Sequence, residues 1–318
     1  MNGEAAPPGF GARFLAFPDL FPARRAGESW GDRRLAFDLP GGPYLAAGLS
    51  AAQAAAAEER FGELCRPPRA GDGDGVETRL FAVAPSDFLA VDTRGWEYAL
   101  DFDYAPAAVR IAGIRLMARI DWARSLSAAL WTSEDGGAAG DLFPGIFENF
   151  LRVVVAYRLL EAGGLVVHSA GVVDAGAAYL FLGRSGAGKT TLSRMSERAG
   201  RTVLSDDLNA LLPDAAGGLR VEKLPFTGDV GERRKAAPPF PLALLLRLEK
   251  GAENSLQPLS KAGAAAQLLA CAPFVNRDTH RRELVEATAA ELAGAARAGV
   301  LAVSLCGGVW DTLRGGTP

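Results

Sequence analysis

Short runs in which apolar and polar positions alternate dominate the first 140 residues. RRLAF at 33–37, ETRLFAVA at 77–84, WEYALDF at 96–102, VRIAG at 109–113 and LMARIDW at 116–122 carry β-branched, aromatic or alternating residues, and predict strands with one packed face. SAAQAAAAEERFGEL at 50–64 breaks that pattern and predicts a helix, with Ser50 as its cap. RPPRAGDGDG at 66–75 has no apolar face and reads as a loop whose charges mark solvent exposure. A helix from about Gly145 to Glu161 follows. IFENFLRVVVAYRLL sets Ile146, Phe150, Val153 and Leu160 at helical spacing with apolar bulk between them, so this helix should be well buried.

Beyond residue 164 the texture changes. GLVVHSAGVV and AYLFL predict two short strands joined by a turn at Asp174–Ala175–Gly176–Ala177. A helix should start inside the following glycine-rich segment and run through TTLSRMSERAG. RTVLSDDLNALL reads as strand, acidic edge, strand. LALLLRLEK at 242–250 is a buried strand or a short buried helix; two helices follow near 260–270 and 279–298, and LAVSL forms a last strand. The chain thus divides into a β-rich accessory domain at 1–140 and a second domain at 141–318, with an α/β (α+β-like) fold around a mixed sheet.

Composition narrows the classes. With 318 residues, 49% of them hydrophobic and 22% charged, the chain can bury two cores. A net charge of −3 provides no general attraction to nucleic acid or to an anionic membrane. The tryptophans at 30, 96, 122, 131 and 310 are too dispersed for a base-stacking platform and read as packing residues. Cys65, Cys271 and Cys306 are too scattered for a zinc cluster or a disulfide framework, and are expected to be buried or half-buried thiols. The start, MNGEAAPPGFGARF, lacks a secretory pattern, and VVVAYRLLEAGGLVV is interrupted by Arg158, Glu161 and a glycine pair; cytoplasmic residence without a membrane span is the expectation.

One segment carries most of the chemistry. Gly183, Arg184, Ser185, Gly186, Ala187, Gly188, Lys189 and Thr190 spell GRSGAGKT, the full G-x-x-x-x-G-K-[ST] pattern, with Thr191 next. Glycines let the backbone wrap a phosphate, and amides at the helix start point at the anion. Lys189 then reaches the β/γ-phosphates and Thr190 can ligate Mg²⁺. Asp206 and Asp207 follow in VLSDD. One can organise the metal while the other orients or deprotonates a nucleophile, since neighbours on an extended strand face opposite ways. His168 lies on the strand before the turn, and the hairpin would return it to the phosphate loop to tune an aspartate or meet the transferred group. His280 reads as an exposed helix-start residue.

His168 in VVHSAGV, the loop GRSGAGKT and the pair in VLSDD occur in the order and spacing that resemble the catalytic domain of bacterial HPr kinase/phosphorylase and its related kinases. That family shares the nucleotide-binding core of phosphoenolpyruvate carboxykinase. The resemblance spans about residues 145–300, and its strongest part is 165–212. It implies ATP and Mg²⁺, phosphoryl transfer to a serine hydroxyl, and homo-oligomers. It assigns Lys189 to phosphate stabilisation, Thr190 and Asp206 to the metal, Asp207 to general base or acid chemistry, and His168 to assistance beside it. The family's further acidic metal ligand has three counterparts to choose from: Glu222, Asp229 and Glu232. Arg233 and Arg234 either contact phosphate or form a solvated charge run. The region with which HPr enzymes engage protein HPr is not recognisable, and the front half differs from theirs.

The leading expectation is therefore an ATP-dependent kinase acting on a hydroxyl of a protein, peptide or small molecule. A nucleotide-responsive regulatory module with little turnover is the second. A carboxykinase-like enzyme and a nucleic-acid NTPase are weaker, the first for want of a carboxylate-binding surface and the second for want of a basic stripe.

Overall fold

The computed structural model describes residues 28–84, 88, 100–113, 115–122, 126–133, 143–215, 217–232, 234–304 and 307–315. The chain divides into two compact units, 1–38 with 42–154 and 39–41 with 155–318. The change of unit comes within a helix, after Val154, whereas the sequence reading sets its boundary at 140.

In the first unit the strands are β1 (Arg33–Phe37), β2 (Tyr44–Leu49), β3 (Cys65–Arg66), β4 (Val76–Ala82), β5 (Asp101–Ala105), β6 (Ala108–Gly113), β7 (Leu116–Asp121) and β8 (Ser127–Thr132). They form one mixed sheet in the order β3-β1-β2-β4-β8-β7-β6-β5. The predicted strands at 33–37, 77–84, 109–113 and 116–122 are all present, within two residues at their ends. Most of WEYALDF lies outside the described residues. YLAAGL and SAALWT are strands that sequence reading passed over, because their small residues pair by sheet context rather than by visible alternation.

Helix α1 (Ala51–Phe61) starts where Ser50 predicts it: the Ser50 hydroxyl accepts from the Gln53 amide, and the Gln53 side chain returns to the Ser50 amide. Phe61 on this helix meets Phe37 of β1 edge to face at 5.1 Å. Phe37 also stands 5.3 Å from Phe147 on α2 (Phe143–Glu161), which closes an aromatic core. The helix is deeply buried along its apolar positions, as its pattern requires. Glu148, only 4% exposed, is carried inward by its pairing with Arg60 and Arg152.

One expectation is corrected. The charges of 66–75 are not all solvated, since Asp72 is buried. Arg66 holds it bidentately, at 2.8 and 2.9 Å, while also gripping Asp38 at 2.7 Å. The Arg69 amide adds a third bond to Asp72 at 2.6 Å. A Pro/Gly-rich segment thus becomes a fixed short 3₁₀ turn because one guanidinium links two carboxylates. Cys65 beside it is half-buried; burial, helped by Glu58 and Asp38, pushes its thiol up to about 12. Cys271 is buried, and Cys306 lies outside the described residues.

The second unit is built on β9 (Leu165–Asp174), β10 (Ala177–Leu182), β11 (Thr202–Ser205), β12 (Leu208–Pro213), β13 (Leu219–Lys223), β14 (Phe240–Lys250), β15 (Ser255–Pro258) and β16 (Ala298–Val303). Its helices are α3 (Lys189–Arg198), α4 (Lys261–Cys271), α5 (Arg282–Ala295) and α6 (Val309–Gly315). Both sheets mix parallel and antiparallel pairs, so the α/β class with α+β character holds. The strands run β10-β9-β12-β13-β14-β16-β15, and β14 also pairs with β10, so that the pairing closes on itself. LALLLRLEK is a strand and not a helix: β14 is hydrogen-bonded to both β10 and β16. Among the described residues no helix is long and apolar enough to cross a membrane.

Arg66 and the Arg69 amide hold the Asp72 carboxyl down at about 2, against 3.8 for a free one. A lowered carboxyl value stabilises the fold above about pH 4 and loses that contribution as pH falls through 2. Urea midpoints of wild type and Asp72→Asn should therefore differ clearly at pH 5 and converge near pH 2.

Candidate functional site

Three apolar strands create the platform. β9 and β10 form an antiparallel hairpin whose last pair is Ser169 with Leu182, so His168 and Gly183 emerge together at the same end. The turn of the hairpin is where expected, with Ala175 and Gly176 at φ 49° and 81°. After Leu182 the chain leaves the sheet through Gly183–Gly188 and enters α3. Gly188 sits at φ 104°, Gly186 at 78°, a region costly for residues with a Cβ. Gly183 is required for another reason: a Cβ there would lie 2.6 Å from that of Ala187. Arg184 and Ser185 are exposed at the tip, while the Ala187 amide closes the loop on the Arg184 carbonyl at 3.0 Å.

No side chain caps α3. Its first amides, at Lys189, Thr190 and Thr191, therefore end in a loop and not in a capping oxygen, which is the electrostatic condition for holding an anion. Lys189 is buried at 6% exposure and folds back, its Nζ donating to the carbonyl oxygens of Gly183 at 2.8 Å and Arg184 at 3.4 Å. Burial lowers its pKa, and Cys271, Asp207 and Asp206 act in the opposite sense. A buried ammonium held only by neutral carbonyls favours an anionic partner. Thr190 is half-buried and Thr191 exposed on the same first turn.

Asp206 and Asp207 occupy the bend between β11 and β12, and they do different things. The Ser205 hydroxyl shapes the bend: it accepts from the amides of Asp207 and Leu208 at 3.1 and 3.2 Å and donates to the Phe226 carbonyl at 3.1 Å. Asp206, 4% exposed, points to the segment after β13. Its Oδ1 accepts from the amides of Gly228 at 3.0 Å and Val230 at 3.1 Å, and Oδ2 takes that of Asp229 at 3.4 Å. A Cβ at Gly228 would come 2.9 Å from Oδ1, so glycine is what permits the approach. Asp207 turns the other way. Its Oδ1 is 3.4 Å from His168 Nδ1, with the Asp207 side chain at 22% exposure and that of His168 at 45%. The two carboxylates meet different partners, and they do so from a bend and not from the extended strand that the sequence suggests.

The remaining candidates are elsewhere engaged. Asp229 is an exposed partner of Arg194 at 2.9 Å. Glu222 pairs with Arg220 at 2.6 Å, and Glu232 accepts from the Arg234 amide at 3.3 Å. Arg233 and Trp96 lie outside the described residues. His280 is exposed just before α5 and gives its amide to Asp278 at 3.0 Å. Among the described residues no group of three or more His, Cys, Asp or Glu is arranged to hold a metal. Sequence reading missed the amide clamp of 228–230 on Asp206. Its only signal was the glycine in TGDV, which carries no charge or motif.

Removing the Asp206 carboxylate would leave three amides without their acceptor, so Asp206→Ala should lower unfolding stability by about 2 kcal/mol. Asp207→Ala deletes a more exposed group and should cost less than about 1 kcal/mol. Urea titration of both variants measures the difference.

Compared with known proteins, residues 147–314 match the ScmC family, described as SynChlorMet cassette protein ScmC. The match begins within α2 and takes in the glycine loop, the acidic bend and all later strands, leaving the first sheet outside. No curated protein matches the chain. As the matched region is more than half of the molecule, the chain belongs to the ScmC family.

Proposed function

We propose that this protein is an ATP-dependent kinase that transfers the γ-phosphoryl group to a hydroxyl, a serine of a protein or peptide or the hydroxyl of a small molecule. The reading follows the resemblance to the HPr kinase/phosphorylase catalytic domain, and includes a cytoplasmic setting. The observation that carries it is the hairpin register: it brings an uncapped helix start with a buried lysine and a histidine–aspartate pair to one end of the same two strands.

The chemistry follows from the residues. The amides of Gly186 and Gly188–Thr191 and the Lys189 ammonium bind the phosphates and offset charge that develops on the transferred group. Thr190 and Asp206 would hold Mg²⁺; Asp206 Oδ2, with only its 3.4 Å amide contact, keeps a lone pair for that task. With few protein ligands, the ion would arrive with the nucleotide and supply charge neutralisation between its phosphates. Asp207 accepts the hydroxyl proton as the new O–P bond forms and the bond to the ADP leaving group breaks. His168 orients Asp207 and screens its charge.

The test is Mg²⁺-dependent transfer from γ-labelled ATP into a fractionated native extract. Wild type should label a discrete acceptor, Asp207→Asn should reduce the rate by about 10²–10⁴-fold, and Lys189→Ala should abolish labelling. ATP binding without transfer in any fraction would replace the kinase with a nucleotide-responsive regulatory module.

A further inference from the structure

A cavity adjoins the glycine loop and extends beyond the groups that the chemistry above uses. It has a volume of about 390 Å³ and runs from Gly186 and Gly188 along α3 to the end of β14. That size lies at the lower end for small-molecule sites. Its apolar walls are Ala187 of the loop, Leu192 and Met195 from α3, Leu248 from β14 and Val303 from β16, with Thr191, Glu249 and Lys250 also in the lining. Met195 and Val303 are only half-buried, so apolar surface is left for a ligand to cover. His168, Asp206 and Asp207 do not border it, which separates it from the acceptor side of the site.

The main chain gives this cavity a polar edge. In β14 the Leu245 amide bonds to Arg297 and the Gly251 amide to Val303, so odd-numbered residues face β16. By alternation, Leu248 and Lys250 turn their main-chain groups toward β10. The β10 ladder ends at the pair Leu182 with Arg247, because the chain departs there into the glycine loop. Lys250 therefore presents its N–H and C=O beyond the end of β10, at the mouth of an apolar cavity that starts where a phosphate chain would end.

We infer that this cavity is the nucleobase site of the triphosphate bound by the loop, with the apolar walls against the faces of the base and the Lys250 main chain along its hydrogen-bonding edge. The inference rests on the nucleotide reading proposed above. An apolar slot with a strand edge is suited to a flat heteroaromatic ring, whose faces are apolar and whose rim carries donors and acceptors.

Calorimetric titration with Mg-ATP and with Mg-tripolyphosphate separates the two ideas. Wild type should bind ATP at least about tenfold more tightly than tripolyphosphate, because only ATP covers the apolar walls. Val303→Trp and Met195→Trp, which fill the cavity from different elements, should erase that preference while tripolyphosphate binds as to wild type. The retained binding also shows that each variant is folded. Equal affinities of wild type for both ligands, or an ATP preference that survives both substitutions, would overturn the base site and leave the phosphate site standing. Binding of neither ligand to wild type would overturn the nucleotide reading, and this site with it.

Discussion

Strand β10 is held on both edges, antiparallel to β9 and parallel to β14, and it must end at Leu182 for a helix to begin seven residues later. A strand so fixed cannot slide without moving every side chain to its other face. The glycine loop therefore starts from a set point in space. Gly183 lies too close to Ala187 for a Cβ, and Lys189 returns to the Gly183 carbonyl, so the loop is braced by its own contacts.

The same termination has two further consequences. On the β9 side it brings His168 level with the loop, and the bend after β11 then supplies Asp207 to it. On the β14 side it leaves the last residues of a longer strand running past their neighbour, which opens the cavity along α3. Behind the loop, the C-terminal helix α6 adds support. Trp310 lies edge-on to Tyr179 and Phe181 of β10, and its indole N–H donates to the Ser196 hydroxyl of α3 at 3.1 Å. The Arg201 guanidinium lies 4.4 Å from the Trp310 ring. One aromatic side chain thus touches the strand entering the loop and the helix leaving it.

Adjacent aspartates have been given separate work by burial. Asp206 is a buried acceptor for three amides and fixes the segment 228–230; Asp207, next in sequence, stays half-open beside a histidine. A buried carboxylate is tolerated when hydrogen bonds replace its lost hydration, and backbone amides do this without a cationic side chain. The first unit solves a similar problem with a guanidinium, using Arg66 to neutralise Asp72.

Much was legible in the residues alone. The Gly-Lys-Thr loop, its flanking strand and helix, the Ser50 cap and the long apolar helix are all local, and local chemistry specifies them: glycine for positive φ, a hydroxyl for orphan amides, a 3.6-residue period for a buried face. The order of His168, loop and acidic pair also pointed to one constellation. What only the tertiary structure decided is which groups meet across long separations. YLAAGL and SAALWT became strands because neighbours offered them edges, and Asp72 was buried because Arg66 reached it. Asp206 was turned inward by amides some twenty residues away, and the cavity along α3 exists because β14 outruns β10. Those outcomes depend on strand register and on complementary partners, which a single chain of letters does not encode position by position.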